Sequence, residues 1–422
     1  MKAEWHGVTL PQLFKQNGYL TSGTGKIYHQ GVPAMGDPLS WSCEYAYLDH
    51  GQQKCGTSRV ASNSDMATLL RGHAIETSRF CSADDTVFVD EEATQRTLHA
   101  IDQAVRLRRP FFAATGLRGM HGAYGAPKDT LERYFETWGK SVPFDESNFW
   151  SKGVPPAFPL DAPGLADNHD HWMSMENHTN YNLTAIWRLY YRATVTFADD
   201  MVGRLLDKLE EHDLSKSTVV VLSADHGVHL GEQSLSSKNT NFEAATRVPL
   251  LFRAPMLMEL GSMRRIGGLA ENVDIYPTLA ELAGLTTADN STLGGTSLVA
   301  AMESQTAKAY ALSQYMRCTT NGNWKCTHSF NEDITQMGYS IRVSGWRYTE
   351  WLNWNQSSAE ADWKSTVAVE LYRYEDDGGD AINDYSNNEA VNLAASSSSA
   401  NDMEKVSELA SELRARHGVL IS

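Results

Sequence analysis

The sequence predicts an α/β fold, with a mixed or parallel sheet sandwiched by helices and a smaller C-terminal subdomain of antiparallel strands plus a helix. Three observations carry this. Short apolar runs that end in Gly-rich or polar turns alternate with segments of helical periodicity. The run Thr218–Ser223 is continuously apolar through its middle, the pattern of a strand covered on both faces, as in a parallel sheet. After about residue 303 the texture shifts to aromatic-rich segments that read as antiparallel strands.

In chain order, the strand Tyr19–Ser22 runs into the turn Gly23-Thr-Gly25-Lys26. A helix over Glu92–Arg108 carries Leu98, Ile101, Val105 and Leu107 on its apolar stripe. The strand Phe111–Thr115 runs into Gly116-Leu-Arg-Gly-Met-His121. The strongest helical pattern is Ala185–Glu211, with Ile186, Leu189, Ala193, Phe197, Met201 and Leu205 at helical spacing. Thr218–Ser223 leads into Ala224-Asp225-His226-Gly227, and another buried strand spans Arg247–Arg253. A helix over Val273–Leu282 ends ahead of Gly284, a C-cap glycine. Tyr310–Tyr315, Tyr339–Val343 and Arg347–Trp351 form the later sheet, and Met403–Arg416 is the helix packed on it. This divides the chain into residues 1–303 and 304–422.

The chain has 422 residues, of which 41% are hydrophobic, so it can bury a sizeable core and is not disordered as a whole. Its net charge of −16, with no Lys/Arg block, argues against nucleic acid as a partner. No apolar run approaches the ~18 residues of a spanning helix, and Met1–His6 has no apolar signal core. None of the five cysteines forms a CxxC pair. Sequons stand at Asn177, Asn182, Asn290 and Asn355, and with pairable cysteines they point to the secretory pathway.

Open parallel sheets bind ligands at the carboxyl ends of their strands. Lys26 and His29 follow the first strand, His121 the second, and Asp225 with His226 the third; Lys238 lies in the loop beyond. Each alone reads as an ordinary turn residue. Together, lysines and protonated histidines suit a tetrahedral oxyanion, and Asp suits a hard cation. Such a cleft would hold a sulfate or phosphate ester beside a metal. Gly23-Thr-Gly25-Lys26 is not a Walker A loop, because it lacks the first glycine spacing and the Ser/Thr after the lysine.

The segment Leu10–Gly31, ending in Gly25-Lys26-Ile-Tyr-His29, resembles the sulfatase family of the alkaline-phosphatase-like superfamily. So do Ser223–Glu232, Lys238, Asn241-Phe242, Thr246–Leu250, Met337–Arg342 and Glu370–Asp377, in the same order. The resemblance implies hydrolysis of a sulfate ester of a carbohydrate or glycosaminoglycan, with one divalent metal (Ca2+) and a formylglycine nucleophile. It implies Asp225 and His226 as metal ligands, and Lys26, His29, His121 and Lys238 as groups that bind the sulfate oxygens and assist proton transfer. The family's Asp-Asp pair and Cys-x-Pro-Ser-Arg precede the Gly-Lys-x-x-His segment. They are therefore expected upstream of this chain, which is expected to be inactive as given while keeping the anion half of its pocket. Cys55-Gly-Thr-Ser-Arg59 is no substitute, since Thr stands where Pro or Ala belongs. Disulfides Cys55–Cys81 and Cys318–Cys326 are expected, with Cys43 free, and the full-length protein is expected to be lysosomal or extracellular. Two other readings stand beside this one: a phosphate or phosphonate ester hydrolase of the same superfamily, and a non-catalytic carbohydrate-binding remnant.

Overall fold

A computed structural model describes residues 7–28, 39–43, 45–46, 48, 80–81, 88–121, 124–127, 129–134, 181–230, 236–238, 240–257, 263–286, 293–304, 308–318, 334–374, 389, 391–394 and 399–421. The chain divides into two compact units, one of residues 4–145 and 182–218, the other of residues 1–3, 146–181 and 219–422.

The first unit opens with α1 (Leu10–Gln16). Thr9 caps it by accepting the Gln12 amide at 3.2 Å, and the Gln12 side chain accepts the Thr9 amide at 3.4 Å. Then follow β1 (Leu20–Gly25), β2 (Phe80–Cys81), α2 (Val89–Arg106), β3 (Phe111–Gly116), β4 (Tyr124–Gly125) and α3 (Tyr181–Glu211). β1 and β3 pair in parallel from Leu20↔Phe111 to Gly25↔Gly116, and β2 pairs in parallel with β4. Phe14 of α1 packs its ring against Tyr19 and Phe112 at 4.9 Å each.

The segment Gly23-Thr-Gly25, expected as a turn, is the end of β1. Gly23 is required there because a Cβ would lie 2.6 Å from the Trp41 ring. α2 buries Ala93, Leu98, Ile101 and Ala104. Val105 and Leu107, expected on the same stripe, are exposed because the helix ends there: Leu107 is its cap and Arg108 turns away with φ of 52°. α3 packs on α2 through Phe88 and Phe197, with ring centroids 5.1 Å apart. His212 and Lys208 both reach Asp102, at 2.7 and 3.2 Å.

The second unit runs β5 (Val220–Ser223), β6 (His229–Leu230), β7 (Ser236–Ser237), α4 (Glu243–Thr246), β8 (Leu250–Arg253), a 3-10 turn (Asn272–Asp274), α5 (Ile275–Leu282) and α6 (Val299–Ser304). β9 (Tyr310–Cys318), β10 (Ile334–Val343), β11 (Trp346–Asn355), β12 (Glu360–Arg373) and α7 (Ala400–Ile421) follow. With parallel pairs in the first unit and antiparallel pairs in the second, the expected mixed α/β class holds.

Two details differ from expectation. β5 is half-buried and pairs with β8 antiparallel, so its apolar run does not mark a parallel strand covered on both faces. Antiparallel pairs tolerate one wet face, and Leu251 on β8 is 57% exposed. β8 begins at Leu250 and not at Arg247, since Pro249 has no amide to donate to a ladder. The glycine after α5 behaves as predicted: Gly284 has φ of 65°, and its amide reaches Glu281 O at 2.9 Å.

The late antiparallel sheet has the order β12-β11-β10-β9. Strand alternation gives it two different faces. One carries Met337, Tyr339, Ile341, Tyr348, Leu352 and Leu371 and buries them against Leu409 and Leu413 of α7. Arg414 of the same helix pairs with Glu350. The other carries Ser340, Arg342, Arg347 and Thr349, and there Trp351 lies over Gly338, where a Cβ would be 2.7 Å from its ring.

Among the described residues no helix is long and apolar enough to cross a membrane. Cys43 is exposed and free. Cys55 and Cys326 lie outside the described residues, and with them both expected bridges; among the described residues there is no disulfide.

Candidate functional site

In the first unit, glycines bring two strand ends together. Gly25 has φ of 70°, and a Cβ there would sit 2.1 Å from Gly116 O; a Cβ on Gly116 would sit 2.3 Å from the Lys26 backbone. Lys26 N donates to Gly116 O at 3.0 Å, so Lys26 leaves β1 directly beside the end of β3. Tyr45 clamps this turn. Its hydroxyl donates to Gly25 O at 2.5 Å and accepts the amides of Ile27 and Tyr28 at 3.0 and 3.1 Å.

The loop after β3 carries His121, whose amide closes a turn on Arg118 O at 2.8 Å. The carboxylate of Asp90, 1% exposed in the first turn of α2, accepts the Arg118 amide at 2.6 Å and the Gly119 amide at 2.9 Å. Lys26 and the His121 loop thus emerge from the same end of adjacent parallel strands. His29 lies outside the described residues.

In the second unit, β5 delivers Asp225 to an exposed turn. The Asp225 carboxylate accepts the His226 amide at 3.0 Å and lies 3.3 Å from His226 Nε2, while His226 Nδ1 donates to Gly227 O at 2.9 Å. Asn272 holds the turn from the side, donating to Ala224 O at 2.9 Å and accepting from Ser223 Oγ at 3.0 Å. Asn272 is anchored in turn, since its neighbours Glu271 and Asp274 both meet the ammonium of Lys308. Lys238 follows β7, and its carbonyl accepts the Thr240 amide at 2.9 Å.

Asp225 and His226 offer one carboxylate and one imidazole nitrogen. Calcium takes six to eight oxygen ligands. Among the described residues no three or more His, Cys, Asp or Glu are placed so that they could hold a metal ion together. Two donors, one of them nitrogen, do not by themselves hold a calcium ion.

Behind the Asp225 turn is a buried charge network. Gly227 N donates to Ala245 O at 2.8 Å, and a Cβ on Gly227 would lie 2.1 Å from Ala244 O, so α4 is the floor of the turn. Glu243 of α4 pairs with Arg347 and, at 3.3 Å, with Arg342. Arg347 also donates to Glu389 at 3.0 Å and to the Tyr374 hydroxyl at 3.1 Å. Glu389 accepts the Glu243 amide through both carboxylate oxygens, at 3.0 and 2.9 Å.

Burial works against ionisation of Glu243, but the guanidiniums of Arg347 and Arg342 outweigh it and hold its pKa below the usual value. Burial also pushes Glu389 up, to about 7, against the pull of Arg347. A carboxyl whose folded pKa is raised binds its proton more tightly in the folded state. Stability through Glu389 is then full below the ordinary glutamate pKa and falls as pH rises through about 7. The loss is on the order of 3 kcal/mol. Urea midpoints at about pH 5 and about pH 8 should show wild type losing ground to Glu389→Gln at the higher pH. Parallel pH profiles for the two proteins would refute this.

Asp90, Asn272, Glu243, Arg347 and Glu389 were not among the residues that strand-end reasoning selects. The sequence signal available for Asp90 was an acid at the start of a helical pattern, which ordinarily reads as complementing the helix dipole.

The chain matches the model of the sulfatase family over residues 6–285. It is 26% identical to iduronate 2-sulfatase of Homo sapiens, an alignment covering 91% of this chain and 78% of that protein. Its fold resembles a Bacteroides fragilis structure described as a sulfatase, with a TM-score of 0.59 at 16% identity over 98% of this chain and 77% of that one. It also resembles the phosphonate monoester hydrolase of Agrobacterium radiobacter, with a TM-score of 0.58 at 16% identity over 97% and 80%. The family match runs through Lys26, His121, Asp225, His226 and Lys238 alike, and this chain belongs to the sulfatase family of sulfuric ester hydrolases.

Proposed function

We propose that the protein binds the sulfate ester of a sugar, of the 2-sulfated uronic acid type, and removes that sulfate. The observation that carries this is the Gly25↔Gly116 register, which sets Lys26 and the His121 loop side by side at the ends of β1 and β3. The Lys26 ammonium gives a charge-assisted hydrogen bond to a sulfate oxygen, where negative charge grows as the S–O bond breaks. His121 gives a proton to the leaving sugar oxygen. His29 and Lys238 complete the set of cations. The uronic-acid assignment draws on the likeness to iduronate 2-sulfatase.

Formylglycine and calcium enter this reading through the family alone. Asp225 and His226 would supply two of the six or more ligands that such a cation needs. The reading also includes a catalytic domain ending near residue 303, a C-terminal subdomain, and passage of the protein through the secretory pathway.

Calorimetric titration of the chain with a 2-O-sulfated uronic acid disaccharide tests the reading. Binding should vanish with the desulfated sugar and weaken about tenfold or more in Lys26→Ala. Equal binding of the sulfated and desulfated sugars would defeat it. Tighter binding of a phosphonate monoester would favour the second reading, a phosphate or phosphonate ester hydrolase, which rests on the fold shared with the Agrobacterium enzyme.

A further inference from the structure

We propose that Asp90 is a positioning residue: its buried carboxylate, fixed in the first turn of α2, sets the place of His121 by holding the loop that follows β3. This rests on the reading above, in which His121 serves the sulfate pocket. The carboxylate accepts consecutive amides, Arg118 at 2.6 Å and Gly119 at 2.9 Å. His121 N then bonds back to Arg118 O at 2.8 Å, so the histidine is three residues from a doubly anchored point.

A purely helical role does not account for this geometry. The entry to α2 is capped by Glu91, whose carboxylate accepts the Phe88 amide at 3.2 Å. Asp90 sends its oxygens across to residues 28 and 29 positions further along the chain. Gly119 is shaped for that contact, since a Cβ there would lie 2.8 Å from Asp90 Oδ2. The helix itself is tied to the strand that bears Lys26, because Thr24 Oγ1 donates to Ala93 O at 3.1 Å. Asp90 therefore references the His121 loop to the same frame that carries Lys26.

Two variants approach the contact from opposite sides. Asp90→Asn replaces one acceptor oxygen by an amide that cannot accept, and Gly119→Ala pushes a methyl group against the carboxylate. Each is titrated with the 2-O-sulfated uronic acid disaccharide. The His121 imidazole resonances, assigned through His121→Gln, are followed against pH in each protein. The expected result is binding at least about tenfold weaker in both variants, as for loss of a hydrogen bond to a charged group. The His121 resonances should be displaced while the melting temperature stays close to wild type. Wild-type affinity in both variants, unmoved His121 resonances, or loss of the global fold in both would each overturn the proposal. If wild type itself fails to bind the disaccharide, the functional reading falls. The imidazole comparison then decides alone whether Asp90 places His121.

Discussion

Arg347→Met should destabilise the second unit by about 3–5 kcal/mol, the usual consequence of removing one partner from a buried ion pair. Arg347 is 3% exposed and faces Glu243 and Glu389, which are 4% and 0% exposed. Without the guanidinium, Glu389 must either take up a proton or stay buried as an uncompensated charge, and Glu243 loses its main counter-charge. Glu243 retains Arg342, so it keeps part of its compensation; Glu389 loses its only charged donor among the hydrogen bonds described above. In thermal unfolding the melting temperature should fall by about 10 °C. Adding Glu389→Gln should recover part of that loss, because the second change removes a charge that no longer has a counterpart. A single variant melting with wild type, or a double variant that simply adds the two losses, would show that the network is not coupled in this way. The damage should also reach the Asp225 turn, which rests on α4 through Gly227.

Gly25→Ala should cost about 3 kcal/mol or more and abolish binding of the sulfated sugar. Two terms add. Alanine at φ of 70° is strained, and its Cβ would stand 2.1 Å from Gly116 O. Relief of that overlap needs β1 and β3 to part at the end that bears Lys26. Gly18→Ala separates the terms. Gly18 has φ of 89° with nothing within 4 Å of a Cβ, so it feels the conformational strain alone. Its cost should stay near 1–2 kcal/mol, with sugar binding intact. If denaturant melts show the two variants equally stable, the close approach of the strand ends is not what holds the site.

Much of the architecture could be read in the residues. Alternating apolar runs and helical stripes gave α2, α3, β3, β5 and the late sheet, because burial of an apolar face leaves a periodic mark. Gly23-Thr-Gly25 was misread because glycine is ambiguous. It marks turns, and it also marks strands where another group must come close, as Trp41 does over Gly23. The strand-end positions of Lys26, His121, Asp225, His226 and Lys238 were legible, since they follow recognisable strands. Their supports were not. Arg342 and Arg347 alternate with apolar neighbours, which reads as a solvated sheet face. α4, about a hundred positions earlier in the chain, and Glu389, about forty later, turn that face into an interior. No local pattern carries that information.

The distance in sequence between those partners has a consequence for biosynthesis. A ribosome delivers Asp225, His226 and Glu243 well before it delivers their supports. Glu243 waits for Arg347, 104 residues later, and for Glu389, 146 residues later. Until then the carboxylate has no reason to leave water, and the helix that floors the turn has nothing buried behind it. A nascent chain halted between residues 250 and 340 would contain every residue proposed for the pocket, yet it would lack the interior behind Asp225 and His226. Its site should mature late, after the C-terminal sheet has closed on α4, and the exposed strands of the waiting intermediate are a natural target for chaperones.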